Sequence, residues 1–259
     1  MILDDILAET RRTVASSQDR VPLAALEEQA KAMAPARSLS QSIRATKGIA
    51  CIAEFKRRSP SKGWIHREAA VLPVARAYAE AGAAAMSVLT DGPFFGGSLA
   101  DLRQARAAIQ LPILRKDFTI DAYQVAEARA AGADVVLLIV AALTDVELGR
   151  LIAEVERWGM EALVEAHDAD EVARAVAAGA KVVGVNHRDL RTFQMNMDLA
   201  VCMRPMIPPD CLVVAESGIK TADDVKRLHA AGIDAILVGE TLMRGVDPAA
   251  ALRELVGEA

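Results

Sequence analysis

Short apolar runs recur along the chain and alternate with longer segments in which apolar and charged residues are mixed. Four of these runs follow similar helix ends, and the stretches read EAGAAAMSVL, AAGADVVLLI, AAGAKVVGVN and AAGIDAILVG. Each stretch places a glycine after a helix and before a buried strand. The glycines recur about every fifty residues, which leaves room for one more strand and helix in each interval. The predicted strands are residues 49–56, 84–89, 111–116, 134–139, 160–165, 181–186, 212–216 and 234–238.

A helical segment follows each predicted strand, and this alternation is typical of parallel βαβ units. Eight such units in about 210 residues close naturally into an α/β fold of the (β/α)₈ type, a TIM barrel. An open doubly wound sheet is the alternative, but no GxGxxG motif opens the first unit. We therefore expect a (β/α)₈ barrel domain over residues 49–259.

The first 48 residues follow a helical pattern instead. Apolar residues lie near helical spacing in 2–14, a second helical run over 23–33 begins just after Pro22, and a shorter one follows Ser38. No Gly/Ser linker separates this segment from the rest. We expect residues 1–48 to form an N-terminal helical extension packed on the barrel.

Composition narrows the classes of function. The net charge of −5, without a basic stripe interleaved with aromatic residues, argues against nucleic acid as the main partner. No run reaches the roughly 18 apolar residues of a membrane span. The N-terminus reads MILDDILAETRR, which is not a secretory signal. We expect a cytoplasmic protein without a membrane partner.

Cysteine and histidine usage bears on metals and disulfides. The three cysteines are odd in number and lack CxxC spacing, which favours a reducing compartment and argues against a structural disulfide or zinc site. The four histidines form no HxxxH pair. No metal site is expected.

The first predicted strand ends in two charged residues. Because residues i and i+2 of a strand point to the same face, Glu54 and Lys56 share one side with Ile52. A basic loop, RRSPSKG, follows at residues 57–63 and is able to meet an anion. A ligand site explains this pattern, and an exposed strand end with solvated charges is the alternative.

Other predicted strands also end in polar residues, and in a barrel these ends converge on one mouth where ligands bind. A satisfied ion-pair network that closes the barrel is the alternative interpretation. Buried ion pairs, however, seldom stabilise a fold more than apolar packing does, so we predict a functional site. The polar residues expected at the mouth are Glu54, Lys56, Lys116, Glu165, Asn186, Arg188 and Glu216.

The last two strands carry a phosphate signal. Gly218 and Gly239 follow them, and a short helix is expected to start at Thr241. Glycines let backbone N–H groups approach an anion, and barrels frequently bind phosphate after strands seven and eight. Lys56 and the Ser59–Ser61 loop of the first unit strengthen the prediction.

Several motifs together resemble the indole-3-glycerol-phosphate synthases of tryptophan biosynthesis over essentially the whole chain. They are IAEFKRRSPSKG, SVLTDGPFFGGSLADL, LRKDFTIDAYQVAEARAAGADVVLLI, LVEAHD, GVNHRDLRTF, AESGI and LVGETLMR. Phosphoribosylanthranilate isomerases share the phosphate end but lack this set of lysines and glutamates. Asp91 stands where the family often has glutamate, and His187 occupies a variable place between Asn186 and Arg188.

The resemblance implies a reaction without a cofactor. The substrate, 1-(2-carboxyphenylamino)-1-deoxyribulose 5-phosphate, is cyclised to indole-3-glycerol phosphate with loss of CO₂ and water. Lys116 resembles the general acid and Glu165 its acid/base partner, while Glu54 and Lys56 resemble the pair that contacts the substrate carboxylate and serves the later dehydration. Which lysine gives which proton stays open.

The remaining roles also follow from the resemblance. Asn186 and Arg188 match residues that orient the anthranilate carboxylate and the sugar hydroxyls, and an arginine fork suits a carboxylate. Glu216 would bind sugar hydroxyls. The predicted phosphate end comprises Lys56, Ser59, Ser217, Gly218, Gly239 and Glu240. The predicted walls for the aromatic ring are Phe95, Phe118 and Leu137, although ordinary barrel packing explains Leu137 nearly as well.

Three further expectations complete the prediction. The loop 57–64 is expected to close over substrate and to be poorly ordered without it. Partners are expected to be the phosphosugar-anthranilate substrate and other tryptophan-pathway enzymes. Another phosphosugar barrel, such as an isomerase, and a catalytically silent binding or docking barrel are the alternatives.

Overall fold

The computed structural model describes residues 2–189 and 194–257, and within them a closed, all-parallel barrel of eight strands. The strands of the barrel are β1 (Ala50–Phe55), β4 (Ala85–Leu89), β5 (Ile113–Lys116), β6 (Val135–Ile139), β7 (Glu161–Ala166), β8 (Val182–Asn186), β9 (Leu212–Glu216) and β10 (Ala235–Val238), while β2 (Arg58–Ser59) and β3 (Gly63–Trp64) form a separate hairpin. Around the barrel the strands pair in the order β1-β10-β9-β8-β7-β6-β5-β4, and β4 pairs again with β1. This confirms the predicted (β/α)₈ fold.

Helices surround the barrel, and each strand bound agrees with its predicted range to within about two residues. In the described ranges no helix is long and apolar enough to cross a membrane. Two 3₁₀ turns, Val140–Ala142 and Arg204–Met206, lie between elements. The outer helices are α4 (Val71–Glu80), α5 (Leu99–Ala108), α6 (Ala122–Ala131), α7 (Asp145–Arg157), α8 (Ala169–Ala177), α9 (Leu199–Met203), α10 (Ala222–Ala230), α11 (Glu240–Arg244) and α12 (Pro248–Val256).

Side chains of β1 alternate between two apolar layers as the sequence pattern predicts. Ala50 and Ile52 pack inside the barrel, whereas Cys51, Ala53 and Phe55 pack against the outer helices. A parallel strand covered on both faces must be apolar on both, which explains the near-continuous apolar runs. In β1 the polar exception is Glu54, close to the carboxyl end of the strand.

The glycines of the four repeated stretches follow the ends of helices, as predicted. At the end of α6, Gly132 has φ of 95° and its N–H donates to the carbonyl of Ala128. A side chain is excluded there both by this left-handed backbone and by Arg106, whose Cβ lies 3.2 Å from the position of a Cβ on residue 132. The start of α6 is fixed by Asp121 and Gln124, which form a capping box.

Three helices precede the barrel: α1 (Ile2–Arg20), α2 (Leu23–Lys31) and α3 (Leu39–Ala45). The predicted helices are therefore confirmed. The first turn of α1 lies at the mouth, the end of the barrel formed by the carboxyl ends of the strands, where Ile2, Leu3 and Ile6 line a cavity. The division of the chain into an extension and a barrel domain stays a prediction.

The other two helices of this segment cover the side and the opposite end of the barrel. Leu26 of α2 packs with Tyr123 of α6. Leu39 and Ile43 of α3 join the apolar interior near the strand starts, and Ser42 Oγ donates to the carbonyl of Ala84 at 2.5 Å. The segment thus contacts the barrel from the mouth to the far end.

Candidate active site

A cavity opens at the mouth, and all fifteen predicted site residues line it. The structure therefore brings the predicted residues together in one cavity, while the roles assigned to them stay predictions. The residues are Glu54, Lys56, Ser59, Phe95, Lys116, Phe118, Leu137, Glu165, Asn186, Arg188, Glu216, Ser217, Gly218, Gly239 and Glu240.

Lys116, Glu165 and Glu216 line this cavity and form a central cluster of charged groups. The Lys116 ammonium donates to Glu165 Oε2 at 2.7 Å and lies 3.2 Å from Glu216 Oε2. Asn186 Nδ2 donates to the other oxygen of Glu165 at 3.0 Å. Both glutamate side chains are only 2% exposed, so water screens these charges weakly.

Burial and neighbouring charges set the protonation of the central cluster. Burial alone would lower the pKa of Lys116, but Glu165 and Glu216 outweigh it and raise that pKa above its ordinary value. Burial would raise the pKa of Glu165, but Lys116 and His167 outweigh it and hold that pKa well below its usual range. Burial raises the pKa of Glu216 to about 8, because Lys116 opposes the shift only in part and Glu165 adds to it. Two adjacent carboxylates therefore differ in protonation near neutral pH.

A second ion pair lies at the end of β1, where Lys56 Nζ is 2.8 Å from Glu54 Oε1. Ser87 Oγ on the adjacent strand β4 is 3.4 Å from the other oxygen of Glu54. Lys56 keeps 19% of its side chain exposed, whereas Glu54 is almost fully buried. The ammonium can therefore reach a ligand while the carboxylate holds it in place.

The phosphate end has an unusual backbone. Ser217 has φ of 68° and is the one non-glycine residue with positive φ among those described; the next residue, Gly218, has φ of 78°. His187 Nδ1 lies 2.9 Å from the Ser217 carbonyl, which fixes this turn when that nitrogen carries the proton. Ser59 Oγ is buried and has no hydrogen-bond partner within the described part of the chain.

Glu240 begins helix α11, one residue before the predicted start at Thr241. Its carboxylate lies 3.0 Å from Arg244 Nε. Since a carboxylate repels phosphate, a contact from Glu240 would come from its backbone.

Aromatic rings form one wall of the cavity. The centroids of Phe95 and Phe118 are 6.1 Å apart with planes tilted by 39°. Asp91, the residue noted as a departure from the family pattern, accepts hydrogen bonds from the N–H groups of Phe94 and Phe95 at 2.7 and 3.0 Å. This carboxylate therefore positions the loop that carries the wall.

Arg188 joins the cavity through the turn that follows β8. Its N–H donates to Asn186 Oδ1 at 3.0 Å, so the two predicted residues are linked directly. The end of the GVNHRDLRTF motif, residues 190–193, lies outside the described residues.

The segment predicted as a loop contains a short hairpin of β2 (Arg58–Ser59) and β3 (Gly63–Trp64). Arg57 anchors its start with two hydrogen bonds to Asp101, at 2.7 and 2.8 Å. Arg58 also stacks on Trp64 at 5.6 Å. Closure over substrate and disorder in its absence stay predictions.

Two groups of residues beside the predicted ones escaped the sequence prediction: Asp117 lines the cavity, whereas His167 lies behind Glu165. His167 lies 3.2 Å from Glu165, and its signal was visible because it follows Glu165 at the same two-residue spacing as Lys56 follows Glu54. Asp117 accepts from Thr90 Oγ1 at 2.5 Å and from buried Arg115 at 3.2 Å. These contacts hold the residues on either side of Lys116.

No described group of three or more His, Cys, Asp and Glu residues is arranged to hold a metal ion. Cys51, Cys202 and Cys211 are free thiols. The polar side chains that line the mouth carry amines, carboxylates, an amide, a guanidinium and hydroxyls.

A parallel barrel with a lysine between two buried glutamates at its mouth places the chain in the (β/α)₈ class, whose enzymes have their active sites at this end. The family model for indole-3-glycerol phosphate synthase matches residues 3–255. The chain belongs to the indole-3-glycerol phosphate synthase family, and it is accordingly a carboxy-lyase of tryptophan biosynthesis.

Individual relatives agree with this assignment. An indole-3-glycerol phosphate synthase from Nocardioides sp. is 50% identical over 256 residues, covering 99% of this chain and 98% of its own length. One from Rhodopirellula baltica is 47% identical, covering 98% of each chain. Indole-3-glycerol phosphate synthase 2 of Streptomyces coelicolor is 48% identical, covering 99% of each.

Solved structures show the same fold at low sequence identity. A mutant tryptophan synthase α-subunit from Pyrococcus furiosus matches with a TM-score of 0.63 at 15% identity, covering 82% of this chain and 99% of its own. A 3-hexulose-6-phosphate synthase from Salmonella typhimurium matches with a TM-score of 0.63 at 14% identity, covering 82% and 100%. These likenesses concern the fold alone.

Proposed function

We propose that the chain cyclises 1-(2-carboxyphenylamino)-1-deoxyribulose 5-phosphate to indole-3-glycerol phosphate, with Lys116 as general acid and Glu165 as its acid/base partner. The observation that carries the assignment is the contact of 2.7 Å between the Lys116 ammonium and the buried Glu165 carboxylate, both of which line the cavity. A simple binding site would not need this pair beside a second lysine.

Binding comes first and uses the two ends of the cavity. The substrate phosphate would meet the N–H groups around Gly218 and Gly239, together with the Ser59 hydroxyl, which is buried without a partner in the described structure. Arg188 and Lys56 would hold the anthranilate carboxylate, and the Phe95–Phe118 wall would hold the ring. Glu216 and Asn186 would form hydrogen bonds with the sugar hydroxyls.

Ring closure then joins the aromatic carbon that bears the carboxylate to the C2′ carbonyl carbon. The electrons of the C=O bond move to oxygen, and Lys116 gives its proton to that oxygen as negative charge develops. The raised pKa of Lys116 keeps the proton in place until then. Glu165 stays anionic beside it and stabilises the positive charge that appears on the anilinium-like nitrogen.

Two losses complete the reaction. The C–C bond to the carboxylate breaks, CO₂ leaves and its electron pair restores the aromatic ring. The hydroxyl at C2′ next takes up a proton and leaves as water, while the electrons of a C1′–H bond form the new double bond and a base accepts that proton. Glu54 and Lys56, an ion pair 2.8 Å apart, supply a base and an acid for this step.

Setting and partners belong to the same proposal. We propose a cytoplasmic enzyme that acts on a small phosphorylated substrate, without nucleic acid, and that hands its product to other tryptophan-pathway enzymes. The net charge of −5 and the free cysteines support this setting.

The direct test supplies the substrate and follows indole absorbance and fluorescence. The purified chain should form product in proportion to enzyme, and an analogue without the aryl carboxylate should give none. A chain that forms no indole, or that isomerises the sugar of the analogue without needing its carboxylate, contradicts the proposal.

A further inference from the structure

His167 occupies a position between two carboxylates at the end of β7. Its Nε2 atom lies 3.2 Å from Glu165 Oε1, and its Nδ1 atom lies 3.0 Å from Glu171 Oε2. The backbone N–H of His167 donates to the same oxygen of Glu171 at 2.8 Å. Glu171 belongs to the first turn of α8 and is itself buried. The imidazole therefore connects a cavity carboxylate to the outer helix layer.

The geometry bears on the charge of the ring. An ionised carboxylate only accepts hydrogen bonds, whereas a neutral imidazole carries a single N–H. With an acceptor oxygen near each nitrogen, only the imidazolium presents a proton to both. The Nε2 contact has ion-pair distance without hydrogen-bond alignment, so its attraction to Glu165 is mainly electrostatic. Burial lowers the pKa of His167, but Glu165 and Glu171 outweigh it and raise the pKa to about 10.

We propose that His167 is a positioning residue that stays protonated and holds Glu165 as the anion. Of the two cavity glutamates, Glu216 is then the one that carries a proton. The inference rests on the proposed role of Glu165. Glu165 has two cations beside it, Lys116 and His167, whereas within the described ranges Glu216 has one, Lys116. The Glu216 Oε1 atom is buried without a partner in the described structure, as a protonated carboxyl can tolerate better than an anion.

Charge balance supports the same assignment. The side chains that face His167 and Glu165 are Lys116 of β5, Asn186 of β8 and Glu216 of β9 on the cavity side, and Glu171 of α8 on the outer side. With His167 protonated and Glu171 ionised, these side chains are together neutral only if Glu216 carries a proton. The separate pair of Glu54 and Lys56 is neutral in itself. Glu165 is then the base of the site, and Glu216 is a hydrogen-bond donor.

The first test observes the ring itself in the unmodified chain. With ¹⁵N-labelled histidine, both ring nitrogens of His167 should show imidazolium shifts at pH 8, where an ordinary histidine with a pKa of about 6.5 is neutral. The resonances are assigned by their loss in His167→Gln. A neutral-tautomer pattern at pH 8 overturns the proposal. Since this measurement needs no turnover, it decides the matter even if the proposed reaction fails.

The second test is the pH dependence of kcat/KM. His167→Gln removes the charge near Glu165, so the acid-side midpoint should rise by about one pH unit. Glu171→Gln weakens the protonation of His167 and should move the midpoint in the same direction, and it decides the matter if His167→Gln does not fold. His229→Gln, at an exposed position of α10, is the matched control and should leave the midpoint unchanged. An unmoved acid limb in the folded variants contradicts the inference.

Discussion

Gly239 lies directly against Glu54 of the neighbouring strand. A Cβ atom on residue 239 would be 3.1 Å from both Cβ and Cδ of Glu54 and would overlap with its Oε1. The two strands pair at Ala53 and Val238, so their backbones hold this approach in place. The buried position of the Glu54 carboxylate therefore depends on the missing side chain, which gives Gly239 a steric role beside the predicted phosphate contact.

Gly239→Ala should displace the Glu54 carboxylate and break its contact of 2.8 Å with Lys56. We expect kcat to fall about 10- to 100-fold with the fold retained, because displacements of about 1 Å in a catalytic site have effects of that size. Steady-state kinetics and circular dichroism measure both properties.

Gly149→Ala is the matched control for this change. Gly149 lies in α7 with open space around its Cα, so alanine should raise the unfolding free energy by up to about 1 kcal/mol without changing kcat. A Gly239→Ala chain with full kcat would show that the close approach does not matter for activity.

Glu216 makes stability fall as pH rises. In the unfolded chain its carboxyl ionises near a pKa of about 4.3, whereas burial raises its pKa in the native state to about 8. Between these two values the unfolded state releases a proton that the native state keeps, so higher pH favours unfolding, by at most about 1.4 kcal/mol per pH unit. The decline ends above the native pKa.

Glu216→Gln removes this contribution. Urea unfolding at pH 5, 6, 7 and 8 should show a shallower decline in the variant than in the unmodified chain. His167, with its raised pKa, adds a decline above about pH 6.5 in both chains and cancels in the comparison. Parallel stability curves for the two chains would show that Glu216 ionises as it does in water.

Asp101 anchors the hairpin through Arg57. The two parallel hydrogen bonds are charge-assisted, and each bond of this kind contributes about 1.5–3 kcal/mol. Asp101→Asn should therefore increase the open population of residues 57–64 on the order of tenfold. Trypsin, which cleaves after Arg58 and Lys62, should cut this segment faster in the variant, and substrate should slow the cut.

Asp223→Asn provides the control for the hairpin experiment. Asp223 pairs with Lys226 on the surface of α10, where both side chains are exposed and an ion pair contributes little. Cleavage of the hairpin should not change there. Equal trypsin rates for Asp101→Asn and the unmodified chain would mean that Arg57 does not restrain the segment.

Much of the fold could be predicted because its pattern is local. The glycine of each AAG stretch and the apolar run after it mark a helix end and a strand within about ten residues. The side alternation of Ile52, Glu54 and Lys56 is likewise a property of the strand alone. Barrel closure then follows from the number of units, and with it the convergence of the strand ends.

Other features depend on distances between segments far apart in the chain. A Cβ on Gly239 would overlap with Glu54, and a Cβ on Gly184 would overlap with Glu216 Oε1. Both close approaches depend on how neighbouring strands pack, which no local pattern reveals. The contact of Lys116 with Glu165 likewise joins residues that are 49 positions apart in the chain. Ile2 lines the cavity at the mouth, and this could not be predicted without knowing the path of the N-terminal helices.

Lys116→Met tests the central claim most directly. We expect turnover to fall about 10²- to 10⁴-fold, the usual contribution of a positioned general acid, with substrate affinity within about tenfold. Lys116→Arg keeps the charge but holds its proton too tightly to give it up, so it should also lose turnover. Lys220→Met, at an exposed position outside the cavity, should leave both quantities unchanged.

The decisive measurement is the single-turnover rate of indole formation by folded Lys116→Met with saturating substrate. We expect the rate of the variant to be at least about a hundredfold below that of the unmodified chain. A rate within a few fold of the unmodified chain would remove Lys116 from the chemistry and contradict the proposed mechanism.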